Sequence, residues 1–267
     1  MTRRETAHGF TAVDSQADPA RWVRCLDTLC ADPFYVSYKG RIREIMRSLR
    51  GSRYLDVGAG TGEDARALAR ASGATVVAVD LSLTMATEAR RRGLASALVG
   101  TASALPFRDG AFDGCWADRV FQHLDSPSTA LRELVRVTRV GGRVALLDPD
   151  YGTQALEFPD QGLASKVLRF RAERGLRNGM LAARMGKLFS ETGLTDVQCE
   201  PMTLRVRDAN ALDNVFGLRT WARSAESVGY LTRSEALRWE ALFDEVVTAG
   251  GFRWEVTFFL TVGRKAA

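Results

Sequence analysis

At 267 residues, with 46% hydrophobic and 26% charged residues, the chain has an ordinary globular composition and enough length to bury a core, which excludes a fibrous or wholly disordered protein. Its net charge of +5 is nearly all arginine, with Lys39, Lys166, Lys187 and Lys265 the only lysines, and the basic residues alternate with acids, as in Arg41-Ile42-Arg43-Glu44, so a solvated surface is favoured over a nucleic-acid partner. No apolar run reaches about 18 residues, so no membrane partner and a cytoplasmic location are expected, with reduced cysteines and, from two histidines and no C-x-x-C, no metal site.

In chain order, residues 1–17 are polar and aperiodic and read as a loose arm. Asp18-Pro19 starts a helix carrying Trp22, Val23, Leu26 and Leu29 at helical spacing. A second helix is expected from about Tyr35 to Leu49, ended by Gly51. From Tyr54 short apolar runs alternate with helical segments, the pattern of βαβ units and a mainly parallel sheet. Strands are expected at 53–57, 75–79, 97–100, 112–117 and 143–148, with helices at about 63–72, 83–91 and 126–138. After a less regular stretch, 197–206 and 254–262 read as two further strands with a two-residue period, and a helical insertion at about 209–249 lies between them. The expected organisation is an N-terminal helical arm or lid (1–50) and a ligand-binding domain (51–267), with cap insertions at about 149–192 and 207–249.

The strongest motif is Leu55-Asp56-Val57-Gly58-Ala59-Gly60-Thr61-Gly62-Glu63, placed where a strand stops and a helix begins. Glycines there allow a sharp turn and close approach of a ligand to the main chain, and the helix N-terminus offers free N–H groups. The register is not the dinucleotide G-x-G-x-x-G, and Glu63 puts a negative charge where a diphosphate would lie, which disfavours NAD. The next strand ends in Asp80-Leu81-Ser82. A carboxylate at that strand end can accept both hydroxyls of a ribose, or can serve as a helix cap.

Leu55 to Gly62 resembles, position for position, the first motif of the class I S-adenosylmethionine (SAM)-dependent methyltransferases, in the small-molecule branch that includes the ubiquinone- and menaquinone-biosynthesis enzymes. Thr101-Ala102-Ser103-Ala104-Leu105-Pro106-Phe107, Phe112-Asp113 and the segment ending in Gln122-His123-Leu124 follow in the family's order, over roughly residues 53–150. The resemblance implies an α/β Rossmann-like doubly wound sheet of seven strands, mostly parallel with one antiparallel strand, plus a helical cap. It also implies SAM as cofactor, with Gly58, Ala59, Gly60, Asp80, Leu81, Thr101, Ala102, Ser103 and Asp118 as the cofactor-binding set. Thr101 stands where relatives carry an Asp, so adenine recognition would fall more on backbone groups.

The expected reaction transfers a methyl group to an O, N or C atom of a small-molecule acceptor, with a homodimer allowed. Asp118, Arg119 and His123 fall at the expected reaction mouth, and His123 is the candidate catalytic base, a capping or cofactor-shell role being the competing reading. Phe34, Tyr35, Tyr38, Trp221, Tyr230 and Trp239 fit either pocket walls or core, and Asp148-Pro149 fits a tight turn. The alternatives are a methyltransferase-fold enzyme with another reaction such as cyclisation, an NAD-linked oxidoreductase, and a non-catalytic binding module.

Overall fold

The computed structural model describes residues 9–49, 51–209 and 216–267. Residues 1–8 of the expected arm and 210–215 of the second expected insertion lie outside them. The strands are β1 (Arg53–Val57), β2 (Thr75–Asp80), β3 (Ala97–Val99), β4 (Phe112–Asp118), β5 (Thr138–Glu157), β6 (Leu194–Val206) and β7 (Arg253–Lys265). They form one sheet in the order β3-β2-β1-β4-β5-β7-β6. Pairs among β1 to β5 are parallel, and β7 runs antiparallel to both β5 and β6. The sheet is thus mostly parallel with one antiparallel strand, as expected. The chain leaves β1 toward β2 on one side and returns to β4 on the other, so a crevice opens above the carboxyl ends of β1 and β4.

Local signals place the helices. Helix α1 (Ala20–Ala31) follows Pro19. Helix α2 (Pro33–Ser48) starts two residues earlier than its apolar spacing suggests, because Asp32 accepts the Phe34 N–H at 2.9 Å and Pro33 fits the first turn. Helix α3 (Glu63–Ser72) has Glu63 and Asp64 in its first turn and Arg70 in its last, complementing the helix dipole. Helices α4 (Leu83–Arg91) and α5 (Pro127–Val137) fall as expected. The Asp113 of the Phe-Asp pair accepts the N–H groups of Ser52 (2.8 Å) and Arg53 (2.9 Å), tying the start of β1 to β4.

Three expectations are corrected. The arm is not loose over residues 9–16: it forms two short 3-10 turns, Gly9–Thr11 and Val13–Ser15, and Val13 is buried. Strand β5 does not stop at Asp148, and Asp148-Pro149 is not a turn. The strand runs on to Glu157 because β7 supplies a long antiparallel partner, with Pro149 opposite Phe258. Proline is tolerated there since β4 has already ended beside Leu147. Strand β5 also begins at Thr138, ahead of the expected 143, with an irregularity around Gly141 and Gly142: Phe112 pairs with Thr138 and Gly114 with Arg143.

The remainder of the 149–192 region forms α6 (Gln161–Glu173) and α7 (Met185–Glu191). Helices Trp221–Ser227 and Arg233–Thr248 follow β6, the latter opened by a Thr232/Glu235 capping box. Tyr35, Tyr38, Trp221 and Trp239 are buried in one core cluster, on which Phe34 and Tyr230 pack. Tyr38 stacks on Phe258 of β7 at 5.9 Å and Phe158 on Trp239 at 4.5 Å. These aromatics fasten the N-terminal helices and the second insertion to the sheet, and they serve as core.

Candidate functional site

A cavity of about 470 Å³ opens above the carboxyl ends of β1, β2 and β4, within the roughly 300–1,000 Å³ usual for small-ligand sites. All nine expected cofactor residues and His123 line it. The glycine loop forms its floor. Gly58, Gly60 and Gly62 have φ of 71°, 53° and 72°, a region that side chains rarely enter. A Cβ at Gly58 would lie 2.3 Å from Val120 Cγ2, and one at Gly60 would lie 2.6 Å from Leu26 Cδ1.

Asp80 is joined to that loop. Its Oδ2 accepts the Gly60 N–H at 2.7 Å and its Oδ1 accepts the Ser82 N–H at 2.9 Å. Burial raises its pKa, against the hydrogen bonds from Ser82 and Gly60. Leu81, 59% exposed, stands beside it. Across the cavity, Thr101 Oγ1 accepts the Ser103 N–H at 3.3 Å, and Ala102 is buried.

The other end of the floor is a cluster of charges. Lys39 of α2 pairs with Asp64 of α3 and, at 2.9 Å, with Asp118 at the end of β4. Tyr38 Oη donates to both Asp118 oxygens at 3.1 Å. Burial would push Asp118 up, but Lys39 and Arg119 outweigh it and hold the carboxyl below its usual range. Asp56 is 3% exposed; burial, reinforced by Asp64, Asp118 and Asp80, raises its pKa well above the usual value. Burial would lower Lys39, but Asp118 and Asp64 hold its ammonium above its ordinary value. Asp56, Asp64, Asp80 and Asp118 gather here around Lys39, so this half of the cavity is rich in acids.

The arm forms one wall, through Phe10, Thr11, Ala12 and Val13. Asp14 fastens it to the start of α4, accepting from Ser82 Oγ (2.7 Å), Leu83 N (2.8 Å) and Thr84 N (3.0 Å).

A family model described as "Methyltransferase domain" matches residues 55–146. The chain is 32% identical over 248 residues to an uncharacterized 37.1 kDa protein in transposon TN4556 of Streptomyces fradiae, covering 91% of this chain and 71% of that one. It is 35% identical over 150 residues to O-methyltransferase rstn1 of Aspergillus nomiae, covering 52% of this chain and 63% of the relative. The solved structure of YcgJ from Bacillus subtilis superposes with a TM-score of 0.57 at 20% identity, over 86% of this chain and 98% of that one. The chain belongs to the class I SAM-dependent methyltransferases.

This methyltransferase's residues fit a SAM molecule. A cationic ligand suits the acidic floor, and Gly58, Ala59 and Gly60 line the cavity, where glycine lets the backbone approach a ligand closely. The NAD-linked reading falls, and Glu63 does face the cavity. The methyltransferase places His123 on a short 3-10 turn, Phe121–His123, with its carbonyl accepting from Arg177 Nη1 at 3.0 Å. Burial, then the positive charges of Arg171, Arg119 and Arg177, lowers its imidazole to about 3. That differs from the neutral range expected of it: the ring is uncharged at physiological pH and has little affinity for a proton.

Sequence reasoning missed Lys39, Asp64, Asp14 and residues 10–13. Lys39 and Asp14 lie on segments with no motif, and only folding brings them to the cavity. Asp56 carried a signal, as the acid of the glycine motif, but had no role assigned.

Proposed function

We propose that this methyltransferase seats the ribose of SAM on Asp80 and methylates an oxygen atom of a small-molecule acceptor. The observation that carries the reading is the tie between Asp80 and Gly60 N at 2.7 Å, which sets the ribose-binding acid against the loop. When bound, SAM would supply an electrophilic methyl group to the acceptor oxygen, its sulfonium leaving as a neutral thioether while the acceptor gives up its proton. Gly58, Ala59 and Gly60 present backbone to the cofactor, while Leu81, Thr101, Ala102 and Ser103 bound the adenine end. Asp56 and Asp118 face the ammonium. His123 stands on the acceptor side as a neutral hydrogen-bonding group, since burial, reinforced by the surrounding arginines, makes it a poor base. Alignment and exclusion of water then supply the acceleration. The choice of oxygen is supported by the relative named O-methyltransferase rstn1.

Residues 10–16 with α1 and α2 act as the lid, and the 149–192 insertion contributes Arg177 to the wall. Surface arginines paired with acids, such as Arg24 with Asp18 and Arg92 with Asp27, support a chain without a nucleic-acid partner. Free thiols at all four cysteines support a cytoplasmic setting. Among the described residues no helix is long and apolar enough to cross a membrane.

Calorimetric titration with SAM and its demethylated product S-adenosylhomocysteine (SAH) tests the reading. Asp80→Ala should weaken both by about tenfold or more, and unchanged affinity refutes the ribose assignment. Methyl-labelled SAM incubated with fractionated metabolites then identifies the acceptor.

A further inference from the structure

The cavity has two signs of charge. The half nearest Asp80 and Asp56 is acidic, as described above. The half that follows Asp118 along the chain carries Arg119 and Arg177 in its lining, around His123. These two arginines are engaged very differently. Arg177 donates to the His123 carbonyl at 3.0 Å and pairs with Asp125 at 3.0 Å.

Arg119 has no such partners. Its side chain is 15% exposed, and its nearest carboxylate, Asp118, is 3.5 Å from Nε. That Nε–H is buried and makes no hydrogen bond, and no other nitrogen of the guanidinium donates one among the described residues. Asp118 is already taken up by Lys39 and Tyr38. The guanidinium carbon lies over the Tyr35 ring, 5.0 Å from its centroid. A planar fork of five donors, mostly withdrawn from water, with Asp118 near it at 3.5 Å but no hydrogen bond from its buried Nε–H, is costly unless something supplies further acceptors.

The backbone holds it there against its preference. Arg119 has φ 58°, a left-handed conformation that is strained for a non-glycine residue. It is fixed by Arg119 N donating to Leu147 O at 2.7 Å and by Gln122 Nε2 donating to the Arg119 carbonyl at 3.2 Å. A strained residue aiming an unused cation at a cavity points to a ligand.

We propose that Arg119 anchors an anionic group, a carboxylate or phosphate, on the acceptor, so that this enzyme methylates anionic small molecules. The inference rests on the methyltransferase reading above and adds the class of acceptor. A paired-oxygen anion matches the guanidinium fork with two parallel hydrogen bonds. The cofactor's own carboxylate is the other source of that chemistry. The acceptor is favoured because Arg119, at the border of the acidic cluster beside Asp118, lines the cavity with Arg177 and His123, and together with Arg171 it makes the potential at His123 positive.

The test titrates SAH-loaded protein with benzoate and malonate, using benzamide and malonamide as neutral controls of matching shape. Anions should bind the wild type at least about tenfold more tightly than their amides. Arg119→Asn removes the fork while suiting a left-handed backbone; it should abolish that preference and leave SAH affinity within about twofold. Arg119→Lys, which keeps the charge without the fork, should retain part of it. Thermal melts check that both variants fold, and the wild-type comparison stands without them. Titration with SAH and with 5′-methylthioadenosine, which lacks the amino-acid end, separates the two sources. Loss of SAH affinity with methylthioadenosine unaffected assigns the guanidinium to the cofactor and overturns the proposal. Anions that bind no better than amides, or equally well to Arg119→Asn, also overturn it. Failure of SAH to bind the wild type is a separate result and sinks the cofactor reading itself.

Discussion

Asp14 accepts a 2.7 Å hydrogen bond from the hydroxyl of Ser82, whose own backbone N–H donates to Asp80 at 2.9 Å. The arm that walls the cavity and the acid proposed to hold the ribose are therefore two links of one chain, ending at Gly60 N.

Asp14→Ala should release the arm. Loss of a cap at the start of α4 costs about 1 kcal/mol, and SAH should dissociate several times faster, readable by stopped-flow fluorescence. Partial burial raises the Asp14 carboxyl, but hydrogen bonds from Thr84, Ser82 and Leu83 together hold it down at about 2. A depressed folded-state pKa contributes stability that is full above the unfolded value of about 4 and lost as pH falls toward 2. The wild-type advantage over Asp14→Ala should vanish across that window.

Gly58→Ala should both destabilise the fold and empty the site. The new Cβ meets Val120 Cγ2 at 2.3 Å and sits on a backbone with φ 71°, so a cost of about 1–3 kcal/mol is expected. Adding Val120→Ala removes the clash but not the backbone strain. Thermal unfolding of the pair should show partial recovery, and full recovery would mean that φ is of no consequence there.

Lys39→Met should cost about 3–5 kcal/mol, because the largely buried Asp118 loses its nearest cation while facing Asp56, with only Arg119 at 3.5 Å left to it. The Asp118 carboxyl would then favour protonation, so the deficit relative to wild type should shrink as pH falls from 7 to 5. Denaturant titrations at both pH values measure this.

Asp148, 2% exposed, accepts long hydrogen bonds of 3.2 Å from Phe121 N and Gln122 N. Burial drives its carboxyl up to about 8 despite those donors. A raised folded-state pKa contributes stability that is present below the unfolded value and lost as pH rises through about 8. Asp148→Asn should therefore lose less stability than wild type between pH 5 and 9, by on the order of a few kcal/mol. Parallel melts across that range decide it.

The His123 ring should remain neutral well below the range of an ordinary histidine, given its value of about 3. Side-chain NMR of a protein with only two histidines can follow both rings. An inflection for His123 between pH 6 and 7 would show that the arginines do not dominate its surroundings.

Much of the fold was legible because its signals are local. Strand β1 and helices α3 and α4 fall where period and punctuation put them, since burial on both faces of a central parallel strand leaves an unbroken apolar run and glycines mark the turns. The extension of β5 past Pro149 was not legible, because it depends on β7, more than a hundred residues away in the chain. The aromatics were ambiguous for a related reason: helical spacing shows that a face is buried, not what it is buried against.

By itself the sequence determined the glycine turn and the acid at the next strand end, and the order of these motifs along the chain carried the family resemblance that implied the cofactor. Only the tertiary structure decided that Lys39 meets Asp118, that Asp14 locks the arm at Ser82, that arginines silence His123 and that Arg119 stands unused in the wall. Electrostatics and burial act through space, and charges eighty residues apart along the chain share one desolvated pocket only once the sheet has brought its carboxyl ends together.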